Sequence, residues 1–178
     1  MATQYFYAFQ KWRASDANKI LPRSKVKAAD ENVISSTTLQ NDDELFISVD
    51  ANITYAIDAR IIVIEASGNA IDWKCAWTYP SGALFDMAVV APHTAWNASA
   101  ANVEIEWAAW QNETSSPSSS KNFGTATTAF SYHFRGVLRV GATAGTFQLQ
   151  WAQANSTAAN VTVKSGSSLT LTPLLILS

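Results

Sequence analysis

A chain of 178 residues, 48% hydrophobic and only 15% charged, is long enough for one domain with a sizeable core and has an unusually uncharged surface. A net charge of -2 gives no basic field to hold a phosphate backbone, so nucleic-acid binding is disfavoured. A single cysteine excludes an internal disulfide framework, and no run approaches the ~20 apolar residues of a helical membrane span.

The leader, residues 1–29, differs from the rest. Tyr5, Phe6, Tyr7, Phe9 and Trp12 crowd aromatic rings beside Lys11 and Arg13. Residues 15–21 read as one or two helical turns, with Ser15 as cap and Pro22 as stop. Arg23, Lys25 and Lys27 then form a basic link. Burying each ring is worth roughly 1.5–3 kcal/mol. Five rings therefore need a cover, either the edge of their own domain or another protein, and both readings stay open. Met1-Ala2-Thr3-Gln4 has neither the basic flank nor the apolar run of a signal peptide, so synthesis in a cytosol is expected.

From Asp30 onward, residues 30–178, hydrophobicity alternates with a period of two. Asn32, Val33 and Ile34 begin a first strand, and residues 40–44 read as a polar turn. Residues 45–49 alternate weakly. Residues 53–66 are the longest strand, with Ile53, Tyr55, Ile57, Ala59, Ile61, Val63 and Glu65 on one parity. Its second half is apolar on both parities, the pattern of a strand with a second surface to bury. Residues 70–79 are expected to pair back on it as a hairpin, and residues 83–91 to form an inner strand.

Residues 92–101 read as a loop containing His93 and Trp96, and residues 103–110 as a strand ending at Trp110. Residues 112–122 are a low-complexity polar tip. Residues 123–140 supply one bent strand or two, with Gly136 as a bulge. Phe147, Leu149 and Trp151 alternate with polar neighbours, followed by Val161/Val163 and Leu169/Leu171 after Ser/Gly/Asn turns. Eight to ten strands without a helix-period segment predict an all-β fold, an antiparallel two-sheet jelly-roll sandwich.

Reactive constellations are thin. His93 and His133 stand alone, without metal-ligand spacing. Cys75 falls on the apolar parity and reads as a small core residue. Asp42, Asp43 and Glu44 are the one run suited to a hard cation, although a solvated turn is the commoner meaning. Asn-x-Ser/Thr sites at Asn52, Asn97, Asn112, Asn155 and Asn160 are ascribed to chance in so Asn- and Thr-rich a chain. No catalytic, cofactor or metal residues are assigned, and an enzyme is not expected.

Residues 29–43 (ADENVISSTTLQNDD), 49–55 (VDANITY) and 141–153 (GATAGTFQLQWAQ) resemble tailed-bacteriophage virion proteins that carry a tumour-necrosis-factor-like jelly roll behind a short leader. The resemblance covers about residues 10–175, except for residues 83–130, and residues 145–153 are its most specific block. It implies a homotrimer on the virion surface, made in the host bacterial cytoplasm. Such a protein is a capsid decoration or minor tail protein that meets the major capsid protein or tail proteins, without cofactor, nucleic acid or membrane. Tyr5, Phe6, Tyr7, Phe9 and Trp12 then become the docking segment, and Phe147, Leu149 and Trp151 a row in the trimer contact or the core. The alternative is a tail-associated module that grips a host receptor or glycan through Trp96, Trp110 or residues 112–122.

Overall fold

The computed structural model describes residues 20–67, 71–92, 105–113, 118, 120–125 and 127–174, with the backbone alone at 91–92 and 105–113. Twelve strands are present among the described residues: β1 (Arg23–Val26), β2 (Glu31–Ile34), β3 (Gln40–Val49), β4 (Thr54–Glu65), β5 (Trp73–Thr78) and β6 (Leu84–Pro92), then β7 (Ile105–Glu113), β8 (Lys121–Phe123), β9 (Phe130–Arg139), β10 (Gly145–Gln153), β11 (Asn160–Val163) and β12 (Ser168–Leu174). No helix occurs among the described residues.

An eight-stranded sheet runs β1-β12-β4-β9-β6-β7, with β11 also on β4 and β2 beyond β11; a four-stranded sheet runs β3-β10-β5-β8. Every pairing is antiparallel. The fold is a jelly-roll-like sandwich of two antiparallel sheets, as the alternation predicts.

The period-two pattern works because each sheet buries one face on the other. On β4, Tyr55, Ile57, Ala59, Ile61 and Val63 are buried, and Glu65 is buried on the same parity. Across the gap, Trp73 lies 5.2 Å from Tyr132, Trp77 meets Phe134 edge-on at 5.7 Å, and Phe85 approaches Phe147 at 5.8 Å. Within the four-stranded sheet Trp77 stacks on Phe147 at 4.9 Å. The indole N–H groups of Trp73 and Trp77 are buried without an acceptor among the described residues. Each such group costs about 1–3 kcal/mol, which the packing of large rings has to offset.

Several local expectations change. Arg23, Lys25 and Lys27 do not make a free link: β1 pairs with β12 from Arg23↔Leu171 to Val26↔Ser168, so the sandwich takes in residues that the sequence places in the leader. Residues 40–44 are not a turn but the start of β3. The expected hairpin at residues 70–79 is absent. β5 crosses to the four-stranded sheet and pairs with β10 and β8, because β4 already has β9 on one side and β12 and β11 on the other.

Residues 112–122 are not wholly a free tip, since they contain the end of β7, the start of β8 and a buried Ser118. Ser118 N donates to Trp77 O at 2.8 Å, and its Oγ accepts from Trp77 N at 2.9 Å. Nor does Gly136 interrupt β9, which pairs in unbroken register with both β4 and β6. The irregularity lies one strand further out, where β6 and β7 shift register between Phe85 and Met87.

Cys75 is fully buried on β5 opposite Trp151, and burial pushes its thiol well above the usual range. Native protein is therefore expected to be inert to an aromatic disulfide reagent and to release one equivalent of chromophore only once unfolded in denaturant. Rapid native labelling would contradict the burial.

Candidate functional site

The acidic run of β3 is a polar centre, and its chemistry starts from an irregular register. Between Gln148 and Gln150 on β10, β3 steps from Phe46 back to Asn41. Backbone N–H groups in such a bulge lose their ladder partners and need others. Asp42 supplies them: its Oδ1 accepts from Glu44 N at 3.0 Å and Leu45 N at 2.8 Å. The bulge also turns Asp42 inward, to complete burial, while Asp43 stays exposed.

A buried carboxylate needs a cation or several donors. Lys27, 2% exposed, places Nζ 3.0 Å from Asp42 Oδ1 and 2.6 Å from Glu31 Oε2. Trp151 Nε1 donates to Asp42 Oδ2 at 3.2 Å. Gln40 Nε2 donates to Glu31 Oε1 at 2.9 Å, and Gln148 Nε2 to Asp42 O at 2.9 Å. Ala28 N donates to the Glu44 carboxylate. Burial by itself depresses Lys27, but the hydrogen bonds and charges of Glu31 and Asp42 outweigh it and hold the ammonium above its ordinary value.

This arrangement clamps the start of the eight-stranded sheet to the four-stranded one. Lys27 follows β1, Glu31 opens β2, Asp42 belongs to β3 and Trp151 to β10. Asp42, Asp43 and Glu44 thus do not converge on an ion. The ammonium of Lys27 occupies the cation's place at Asp42, and no His/Cys/Asp/Glu group able to hold a metal occurs among the described residues.

Because the folded pKa of Lys27 lies above its unfolded value, near 10.4, the clamp's contribution is fully present below that pH and is lost as pH rises through the folded value. Melting temperature is expected to fall more steeply above pH ~10.4 in wild type than in Lys27→Met. Parallel alkaline profiles would contradict this.

Other buried polar groups also hold loops. Glu65 Oε2 accepts from Thr125 Oγ1 at 2.7 Å and from Asp72 N at 3.3 Å. Burial first, and the Glu65 charge after it, push the Asp72 carboxyl up. Gln153 accepts from Ser36 N and donates to Ala159 O, tying the loop after β10 to the loop after β2.

The sites named from sequence separate in the fold. Phe147, Leu149 and Trp151 are each 0% exposed inside their own chain, so they belong to the core and not to a contact between copies. His133 is exposed on β9, with Nε2 3.2 Å from Ser131 Oγ. Tyr5, Phe6, Tyr7, Phe9, Trp12, His93 and Trp96 lie outside the described residues, and Trp110 is described by its backbone in β7. Sequence reading missed Lys27 and Glu31 as partners of Asp42, because it placed residues 40–44 in a solvated turn, whereas the bulge in β3 turns Asp42 inward.

No protein-family model matches the chain, and no curated protein matches it. Among solved structures, a chain in the structure of the infectious bursal disease virus Gt strain aligns with 86% of this chain and 41% of its own length, at 15% identity and a TM-score of 0.18. This chain thus spans less than half the length of that one, and at such a score the likeness carries no argument about fold or function.

Proposed function

We propose that the protein is a non-enzymatic structural component of a phage virion, a homotrimeric capsid decoration or cement protein anchored by its N-terminal leader. The observation that carries this reading is a described sandwich whose core is filled by its own rings, preceded in sequence by five more. The buried core cluster runs from Val33 to Leu171 and is filled by rings of the sandwich itself. The first described strand, β1, is an edge strand of the eight-stranded sheet. A sandwich with its own ring-filled core, preceded in sequence by five further rings, fits a body that sits on a lattice and an arm that enters it. The buried polar groups described above fit the same reading, since Asp42, Lys27, Glu65 and Gln153 hold strands and loops together.

Deletion of residues 1–19, which spares β1, tests the anchor. The truncated chain is expected to keep its β-rich dichroism and its protected Cys75 while losing co-sedimentation with virions that lack the protein. Undiminished co-sedimentation would sink the reading. Light scattering is expected to give three times the 19.3 kDa chain mass. Counting copies per particle separates shell, with hundreds, from tail, with a handful.

A further inference from the structure

The cluster of Lys27, Glu31 and Asp42 holds more than an ion pair requires. The side chains of Lys27 and Asp42 are 1% and 0% exposed, and a second carboxylate touches the same ammonium. An amine and a carboxyl group held together out of water can condense to an amide if a proton carrier stands beside them. Lys27 Nζ is the nucleophile. It lies 3.0 Å from Asp42 Oδ1, which is bonded to the carbon that Nζ would attack. Glu31 Oε2, 2.6 Å from Nζ, is placed to take a proton from the ammonium and free its lone pair. Glu31 is itself positioned, since Gln40 Nε2 holds Oε1 and Asp43 N donates to Oε2 at 3.4 Å. Burial pushes the Glu31 carboxyl up, which suits it to accept that proton.

The donors around Asp42 favour attack at its carboxyl carbon. Oδ1 accepts from Glu44 N and Leu45 N, a pair of backbone N–H groups aimed where an oxyanion develops. Oδ2 accepts from Trp151 Nε1 and is the oxygen free to leave. Burial also keeps out the water that would reverse the step. Charge works against it: the two carboxylates hold Lys27 as the ammonium, so only a small neutral fraction reacts at any moment and the step is slow.

We propose that Lys27 and Asp42 join in an intramolecular amide bond, with Glu31 carrying the protons. Nζ bonds to Cγ and the Cγ–Oδ2 bond breaks. The two protons that the ammonium loses pass through Glu31 and leave with Oδ2 as one water molecule, so charge and atoms balance without an oxidant or cofactor. The bond ties the end of β1 to β3, edge strands of the two sheets. It also removes the ammonium, so the alkaline fall in stability expected above belongs to the unreacted chain.

Intact-mass spectrometry of the full chain, incubated at neutral pH below its melting temperature, tests the bond. Wild type is expected to become lighter by one water. Cleavage after Glu31 and Glu44 should then recover residues 1–31 joined to residues 32–44. Glu31→Gln keeps the shape without a carboxylate to take the proton, and should slow the loss on the order of 100-fold. Lys27→Arg should abolish it, and an unreactive Cys75 shows in each chain that the sandwich is intact. Wild type that keeps its full mass throughout, with Cys75 protected, would reduce the cluster to an ion pair and overturn the proposal. So would a lost water with residues 1–31 and 32–44 recovered apart, or an undiminished rate in folded Glu31→Gln.

Discussion

Asp42→Ala is expected to destabilise the sandwich by about 3–5 kcal/mol, the range for removing one partner of a buried ion pair. The substitution strips Lys27 of one carboxylate, leaves Trp151 Nε1 without its acceptor and frees two backbone N–H groups in the β3 bulge. In a chain of this length that loss lowers the melting temperature by on the order of 10 °C, readable by thermal dichroism. Asp42→Asn keeps an acceptor for Leu45 N but not the charge, and should fall between. Asp43→Ala, one residue away and exposed, should stay within about 0.5 kcal/mol of wild type. Calcium or a chelator should leave the melting temperature of wild type unchanged, since the ammonium already neutralises Asp42. Equal effects of the two alanine variants would show that the clamp does not exist.

Gly136→Ala is the second large effect, and its cause is steric. A Cβ on Gly136 would lie 2.2 Å from Asp86 O and 2.9 Å from Met87 Cα, both backbone atoms of β6 that no rotamer change can move. Gly136 pairs with Ile57 on one side and Met87 on the other, so relief requires parting β6 from β9 in the middle of the larger sheet. The cost is expected to reach about 3 kcal/mol or more, at or beyond the upper end for overpacking. Gly82→Ala is the comparison. With φ at +77° and nothing within 4 Å, it carries only backbone strain, about 1–2 kcal/mol. A chemical denaturation midpoint for Gly136→Ala no lower than that of Gly82→Ala would refute the close approach.

Legibility in the sequence followed the range of the interaction. The alternation of Ile57, Ala59, Ile61 and Val63 identified β4 and its dry face, and that of Phe147, Leu149 and Trp151 identified β10, because side-chain parity is a property of the strand itself. The rule did not reach Asp42, which reads as part of a polar turn and not of a strand, although β3 contains it. A register irregularity there is set by pairing with β10, more than a hundred residues later, and it turns the side chain against its local parity. The step from β4 to β5 looked like a hairpin for a related reason: a short turn shows that the chain reverses, not which sheet receives it. Gly136 was rightly singled out, but its reason lies in the β6 backbone pressed against it.

By itself, then, the sequence determined the all-β class, the approximate strand positions and which side chains are dry, since period, turn chemistry and the absence of helix-length patterns are local quantities. It also flagged the doubly apolar half of β4, whose outward Ile62 and Ile64 are half-buried. Only the tertiary structure decided the order of strands within each sheet and the union of Lys27, Glu31, Asp42 and Trp151. Those depend on residues far apart in the chain meeting at one point, and the free energy of such a meeting exists only once both sheets have formed.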